Sequence, residues 1–261
     1  MKKEKITSIL YPILFGVFIF ILCQTQVIHK LFHTDTFTLP LPTRIGQIIA
    51  DNIPGIMMNV KATLIVALIG LVLGSLLGYL IAIIATMFPK GGVGGLTIST
   101  AFNAIPIIVI APIFTNLTKD VSTDPYIRSL VAKSLVVMIF CTVAMSINAH
   151  RGLTELKPFS EDLLKSYAAS KFTIFMKLRL PNSIPYIFTA LKVTVPGSII
   201  STLVSEYFAE YVIGVGRQIR ENIVTAQYAT AWAYITVACM LGIIMYVVLL
   251  FFEGILLKGR K

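Results

Sequence analysis

The sequence predicts an all-α integral membrane protein with about six transmembrane helices. Composition gives the first sign, since 56% of the 261 residues are hydrophobic and 13% are charged. A mean hydropathy of +0.86 exceeds what a water-soluble core needs. The second sign is a series of long apolar runs, because crossing about 30 Å of hydrocarbon takes roughly 20 residues at a helical rise of about 1.5 Å. The third is that basic residues gather in alternate loops, as the positive-inside rule requires. Backbone groups inside a bilayer must be satisfied within the segment, so helices are expected even where valine and isoleucine are dense.

The runs fall at 9–28, 62–87, 97–117, 128–149, 184–208 and 230–251. The first reads as a retained helix and not as a cleaved signal, because it lacks a small-x-small cleavage site and further spans follow. In the second, Gly70, Gly74 and Gly78 strip one face of side chains, which suits close packing against another helix. The third contains Pro106 and Pro112, each removing a backbone donor and bending the helix. Asn103 precedes the first proline by about one turn. It either ties two helices together or lines a water-filled path that satisfies the freed carbonyls.

The fifth run places Thr194, Ser198, Ser201, Thr202 and Ser205 along one helical stripe that ends at Glu206 and is interrupted at Pro196-Gly197. Hydroxyls of this kind either bond to their own helix and pack, or line a polar translocation path. The terminal carboxylate favours the path.

With the N-terminus in the cytoplasm, that side collects Lys2, Lys3, Lys5, Lys90, Arg151, Lys157 and most later lysines of the loops and tail. Lys30, Arg44, Lys61, Lys119, Arg128, Lys133, Arg217 and Arg220 fall on the other side, partly offset by acids. Both termini are thus expected on the cytoplasmic side of the cell membrane. The net charge of +10 follows the loops and forms no single basic face, which argues against nucleic acid. Cys23, Cys141 and Cys239 have no ligand spacing, and three scattered histidines suggest no metal or catalytic centre. No Gly-Lys pair occurs, so a phosphate-binding loop is missing. The Gly91–Gly95 run reads as a flexible turn.

Between the fourth and fifth runs lies a charged, helix-prone island, DLLKSYAASKFTIFMKLRLP, at 162–181. Ser160 with Glu161 and Asp162 has the makings of a helix start, and a bend is expected near Ala168-Ala169. A second short helix from Ser170 should end at Pro181, since a residue before proline is pushed out of helical geometry. The result would be a compact knob projecting from the membrane.

At these residues the chain resembles the permease subunits of type I binding-protein-dependent ABC importers. Their loop opens on Glu-Ala-Ala, carries a glycine soon after and closes on Leu-Pro. Here Asp162 takes the place of the glutamate, Leu163 and Leu164 the alanines, Ala168 the glycine, and Leu180-Pro181 the close. Ala169-Ser170-Lys171-Phe172 and Phe175 resemble the residues that follow. Alanine at 168 pays a steric cost at positive φ that glycine avoids. AIPIIVIAPIF in the third run, LPNSIPYIFTALKV entering the fifth, and Glu206 look like the nitrate, taurine and alkanesulfonate branch. That branch includes permeases for thiamine-precursor pyrimidines and riboflavin. The resemblance covers about 60–255, leaving 1–60 as an added helix and loop and 256–261 as a basic tail.

The resemblance implies a membrane subunit of an ATP-driven importer. Its coupling loop, about 150–182, would seat on a cytoplasmic ATPase through Asp162, Leu163, Leu164, Lys165, Tyr167, Ala168, Ala169, Ser170, Lys171, Phe172 and Phe175. A second permease copy or paralogue and an external solute-binding protein complete the assembly. The chain would bind no cofactor itself, with ATP and Mg held by the ATPase. Asn103, Pro106, Pro112, the hydroxyl stripe and Glu206 would wall the path. The alternative is a stand-alone secondary carrier coupled to an ion gradient through Glu206. A membrane-embedded enzyme would need a nucleophile, base or metal set that the sequence lacks.

Overall fold

In a computed structural model the described residues are 2–102, 104–209, 211 and 213–258, and their regular structure is all helical. In chain order these are α1 (Lys2–Gln24), α2 (Val27–Leu31), α3 (Pro42–Asp51), α4 (Ile53–Met87), α5 (Pro89–Phe102) and α6 (Ile107–Leu117). There follow α7 (Pro125–Thr154), α8 (Ser160–Ser166), α9 (Lys171–Ile174), a π-turn (Phe175–Arg179), α10 (Leu180–Phe208), α11 (Val215–Val224) and α12 (Tyr228–Leu256).

The chain is a multi-pass membrane protein. Among the described residues, α4, α7, α12 and the continuous run from α9 through α10 are each long and apolar enough to cross a bilayer. The third expected span differs from the sequence reading. It is a broken pair, α5 and α6, bent by 95°, and it makes a fifth crossing if counted as one. Pro106 explains the break: it sits in extended geometry with φ −61° and ψ 131° at the head of α6 and has no amide hydrogen to continue α5. Apolar helix at the N-terminus runs over Ile13–Gln24 within α1. The glycines at 91–95 do not form a flexible turn either, for they lie inside α5, with Gly92 lodged against the Ala85 backbone. The boundary expected at residue 60 falls inside α4, which begins at Ile53.

The centre of the bundle is α4 laid parallel against α7, with α10 running antiparallel beside both. Gly70, Gly74 and Gly78 all face α7, where an added Cβ would overlap Val137, the Met138 carbonyl and the Thr142 carbonyl in turn. In hydrocarbon such small-residue faces let backbones approach and gain dispersion contacts that bulky side chains would forbid. The adjoining core holds Val66, Leu71, Val137, Cys141, Phe188 and Val195. Gly74→Leu should therefore separate α4 from α7 at a cost of about 3 kcal/mol or more, the upper end for overpacking because carbonyl groups cannot move aside. Gly242→Ala, where nothing lies within 4 Å of the new methyl, should be neutral or slightly stabilising. Thermal unfolding in detergent compares the two.

Ahead of the bundle, α1 leads into a short strap. His29 Nε2 lies 2.6 Å from the Leu39 carbonyl oxygen, Gln24 bonds to Thr43 at 3.2 Å, and the Trp232 indole donates to the Thr38 carbonyl at 3.0 Å. Phe37 stacks edge-on against Tyr228. The strap thus joins the N-terminal segment to the start of α12.

Candidate functional site: the knob and the buried polar centre

Two polar features stand out from the apolar bundle, one at each end. The knob is built from α8, the turn 167–170, α9 and the π-turn. Phe159, in left-handed geometry at φ 62°, turns the chain into α8. Glu161 and Asp162 lie in the first turn of α8, where the helix dipole favours acids. Lys165 bonds back to Glu161 at 3.1 Å and approaches Asp162 at 3.7 Å. The Lys165 hydrogen bond, with the Arg179 charge adding to it, holds the Glu161 carboxyl below the usual carboxylate range.

The bend falls at Ala168, with φ 56°. A non-glycine residue there carries roughly 1–2 kcal/mol of backbone strain. Ser170 then caps α9, accepting from the Thr173 amide at 3.2 Å.

Four apolar side chains stand out of the knob into open space: Phe159, Leu163, Tyr167 at 78% exposure and Phe172 at 72%. Asp162, Lys165, Ser170 and Lys171 are exposed around them, Ala168 is exposed, and Leu164 and Ala169 are half-buried. Phe175 does not join this surface. It packs at the root of the knob against the cluster of Ala82, Met145 and Leu153. Phe159 belongs to the surface and was missed from sequence; an aromatic between a proline and a serine was its only signal. That serine, Ser160, does not cap α8 but begins it and donates to the Lys157 carbonyl at 2.6 Å.

The second helix also departs from expectation, because it does not end at Pro181. The Leu180 amide donates to the Phe175 carbonyl, a bond of π spacing, and the widened turn carries the chain into α10 with Pro181 in its first turn. Proline is tolerated there because the wider π-spaced turn beneath it relieves the clash that its ring would meet against α-spaced backbone.

At the far end, Glu206 is fully buried, at 0% exposure, and is the focus of a polar knot. The Thr63 hydroxyl lies 2.9 and 3.0 Å from its two oxygens, and the Gly216 amide donates to Oε2 at 2.8 Å. Thr63 Oγ1 in turn accepts from the Val215 amide at 3.0 Å, and Asn59 Oδ1 accepts from the Gly214 amide at 2.9 Å. Asn59 also reaches the Tyr234 hydroxyl at 3.4 Å. Three orphan amides at the N-terminus of α11 are thus satisfied by α4 and α10 together. Gly214, at φ 135°, is needed because a Cβ would run into the Glu206 carboxylate.

Lys133 lies at 5% exposure in α7 and supplies the nearby positive charge that acts on Glu206. From sequence this lysine counts among the outer-side charges although it lies within the run 128–149; the structure buries it in α7. Asn59 and Thr63, one turn apart in an apolar run, were the overlooked sign of the same knot.

The hydroxyl stripe is sealed inside the protomer. Thr194, Ser198, Ser201, Thr202 and Ser205 are all buried. Ser198, Ser201, Thr202 and Ser205 donate to carbonyls of their own helix at 2.7–2.8 Å, and Gly197 beside them receives the Phe140 ring of α7. Within the protomer this stripe is a packing seam. The more open face of α10 is the opposite one, with Thr189, Val193 and Ile200 exposed and Pro196, Val204 and Tyr207 half-buried. Pro106 is exposed at the α5–α6 bend, Pro112 is half-buried in α6, and Asn103 lies outside the described residues. Among the described residues no group of His, Cys, Asp and Glu is arranged to hold a metal ion.

Residues 70–259 match the family described as binding-protein-dependent transport system inner membrane component. The chain is 26% identical to the formylaminopyrimidine transport permease protein ThiX of Halalkalibacterium halodurans, over 86% of this chain and 87% of that protein. It is 25% identical to a probable ABC transporter permease protein of Haemophilus influenzae, over 70% of this chain and 71% of that one.

Proposed function

The chain belongs to the binding-protein-dependent transport system inner membrane components, and from that premise we propose that its knob seats on a cytoplasmic ATPase while the open face of α10 guides the solute. Membership makes it the membrane subunit of an ATP-driven solute importer. The observation that carries the coupling role is the knob itself, where Phe159, Leu163, Tyr167 and Phe172 stand exposed within a ring of charges. Exposed aromatics on short helices are suited to a groove in a folded partner. In this reading the knob end and both termini face the cytoplasm, the membrane is the cell membrane, and ATP and Mg are held by the partner. Two such knobs, from this chain and a second permease copy or paralogue, would follow closure of the ATPase pair and switch the bundle as rigid bodies.

The path reading moves from the buried hydroxyls to the face opposite them. None of these six residues is charged and only Thr189 and Tyr207 offer hydroxyls. The charges beside them are Arg220, 5.7 Å from the centroid of the Tyr207 ring, and Lys192, paired with Glu253 at 2.7 Å. Along Val193, Pro196 and Ile200 such a wall suits an uncharged, ring-bearing solute better than a sulfonate or nitrate, whose charge would lose its hydration there without a partner. The name of the ThiX relative, a formylaminopyrimidine permease, points the same way. The ion-coupled carrier gains nothing from the geometry: Glu206 is sealed and both its oxygens are engaged.

Uptake by proteoliposomes holding this chain, its ATPase and its binding protein tests the proposal. ATP-dependent accumulation of a formylaminopyrimidine, unaffected by excess taurine and lost on Ile200→Asp, is the expected result. Preferential uptake of the sulfonate, or full activity of Ile200→Asp, would refute the path assigned to this face.

A further inference from the structure

The family assignment leaves open how a displacement of the knob reaches the helices that must move. Packing does not explain it, since α8 has no extensive contact with any other element among the described residues. The link is a side chain. Arg179, the last residue of the π-turn, is 22% exposed and points both ways. One guanidinium nitrogen donates to Glu161 of α8 at 2.7 Å, and the other donates to the carbonyl of Leu153, in the last turn of α7, at 2.9 Å. Leu153 is fully buried, and Asn182 one turn further on bonds the neighbouring Gly152 and Glu155 carbonyls at 2.8 and 3.1 Å.

Resting on the reading that the knob seats on an ATPase, we propose that Arg179 is the positioning residue that locks α8, the end of α7 and the root of α10 into one moving unit. The planar guanidinium suits this task because its donors lie in a rigid fork and can hold two acceptors at fixed relative positions. A lysine at the same place would keep the charge but hold neither direction. The π-turn beneath it supports the assignment. Its looser turn sets Arg179 between the two acceptors while the chain continues unbroken into α10, so a pull on Glu161 is delivered to α7 and α10 together instead of being absorbed by the 167–170 bend. Glu161, not the neighbouring Asp162, is therefore the inward-facing acid of α8: its side chain is 29% exposed, against 73% for Asp162.

The test uses the full chain co-purified with its ATPase and reconstituted with its binding protein, in the variants Arg179→Gln, Arg179→Lys and Glu161→Gln. Two quantities are read, the ATPase retained on the chain and the ATP hydrolysed per solute taken up. Arg179→Gln and Glu161→Gln should retain the ATPase at wild-type levels yet raise the ATP used per solute by about tenfold, with Arg179→Lys between them and wild type. A purely structural role would lower assembly and leave that ratio unchanged in whatever assembles. Should Arg179→Gln fail to assemble, Glu161→Gln, placed on the solvent-facing helix, still decides the matter through the same ratio. Wild-type ratios in Glu161→Gln and in any assembled Arg179→Gln would overturn the proposal. Wild-type chain that retains no ATPase would instead overturn the coupling reading beneath it.

Discussion

Glu206→Leu is expected to destabilise the protein by about 3 kcal/mol or more, because it leaves a buried amide, a buried hydroxyl and a buried lysine uncompensated. The loss is large because one carboxylate serves three elements. Without it the Gly216 amide at the head of α11 and the Thr63 hydroxyl lose their acceptor, and Lys133 of α7 is left buried opposite no charge. Each orphaned group is costly where water cannot replace the partner. Glu206→Gln should cost less, since an amide oxygen still accepts from Gly216, but it removes the charge that Lys133 faces. Glu206→Leu combined with Lys133→Met is the informative case. An apolar replacement of both charges removes the desolvation cost along with the attraction, so the double variant should be more stable than Glu206→Leu alone. Thermal unfolding in detergent, followed by the fluorescence of Trp232 beside the strap, reads all four proteins. Additive losses in the double variant would show that Lys133 and Glu206 act independently.

The other large effect is expected at the knob. Asp162→Lys with Phe172→Ala should abolish ATPase-driven transport while leaving the bundle folded. Both side chains stand in the open, Phe172 at 72% exposure, and neither contributes to the buried clusters of the bundle. Removing an exposed aromatic anchor from a helix-in-groove contact commonly costs 2 kcal/mol or more, about a thirtyfold loss of affinity, and reversing an adjacent charge adds to it. Phe175→Ala should behave differently. That ring packs at the knob's root, so its loss should lower stability by about 3 kcal/mol, with assembly suffering only as a consequence.

The membrane-spanning character and the position of the knob could be read from the sequence because each rests on an additive or local signal. Hydropathy summed over a span survives errors at individual residues, and the bend at Ala168 was expected between one short helix and the next starting at Ser170, although alanine is a costly residue at positive φ. What the sequence did not show depends on which neighbour a helix face meets. Thr194 through Ser205 form a stripe whether they line water or pack on α7, because a hydroxyl can satisfy itself on the carbonyl one turn back. Lys133, Asn59 and Thr63 each look like a lone polar residue in an apolar run; only the fold brings them to Glu206 from sequence separations above 70 residues. Pro181 misled for a different reason. The rule that proline closes a helix assumes α spacing upstream, and the π-turn removes that assumption. The break in the third span was legible as a bend at Pro106 but not as a 95° turn, since the angle is set by how α6 settles against α7 and α10.

In the proposed function a separate ATPase drives this bundle through its knob. Affinity purification of the chain in a gentle detergent from its own cells, with mass spectrometry of what remains bound, tests it most directly. The account predicts recovery of an ATPase subunit with the wild-type chain and its loss with Asp162→Lys plus Phe172→Ala, the variant itself remaining folded and membrane-inserted. A chain that purifies without an ATPase and still transports solute in proteoliposomes under an ion gradient would contradict it.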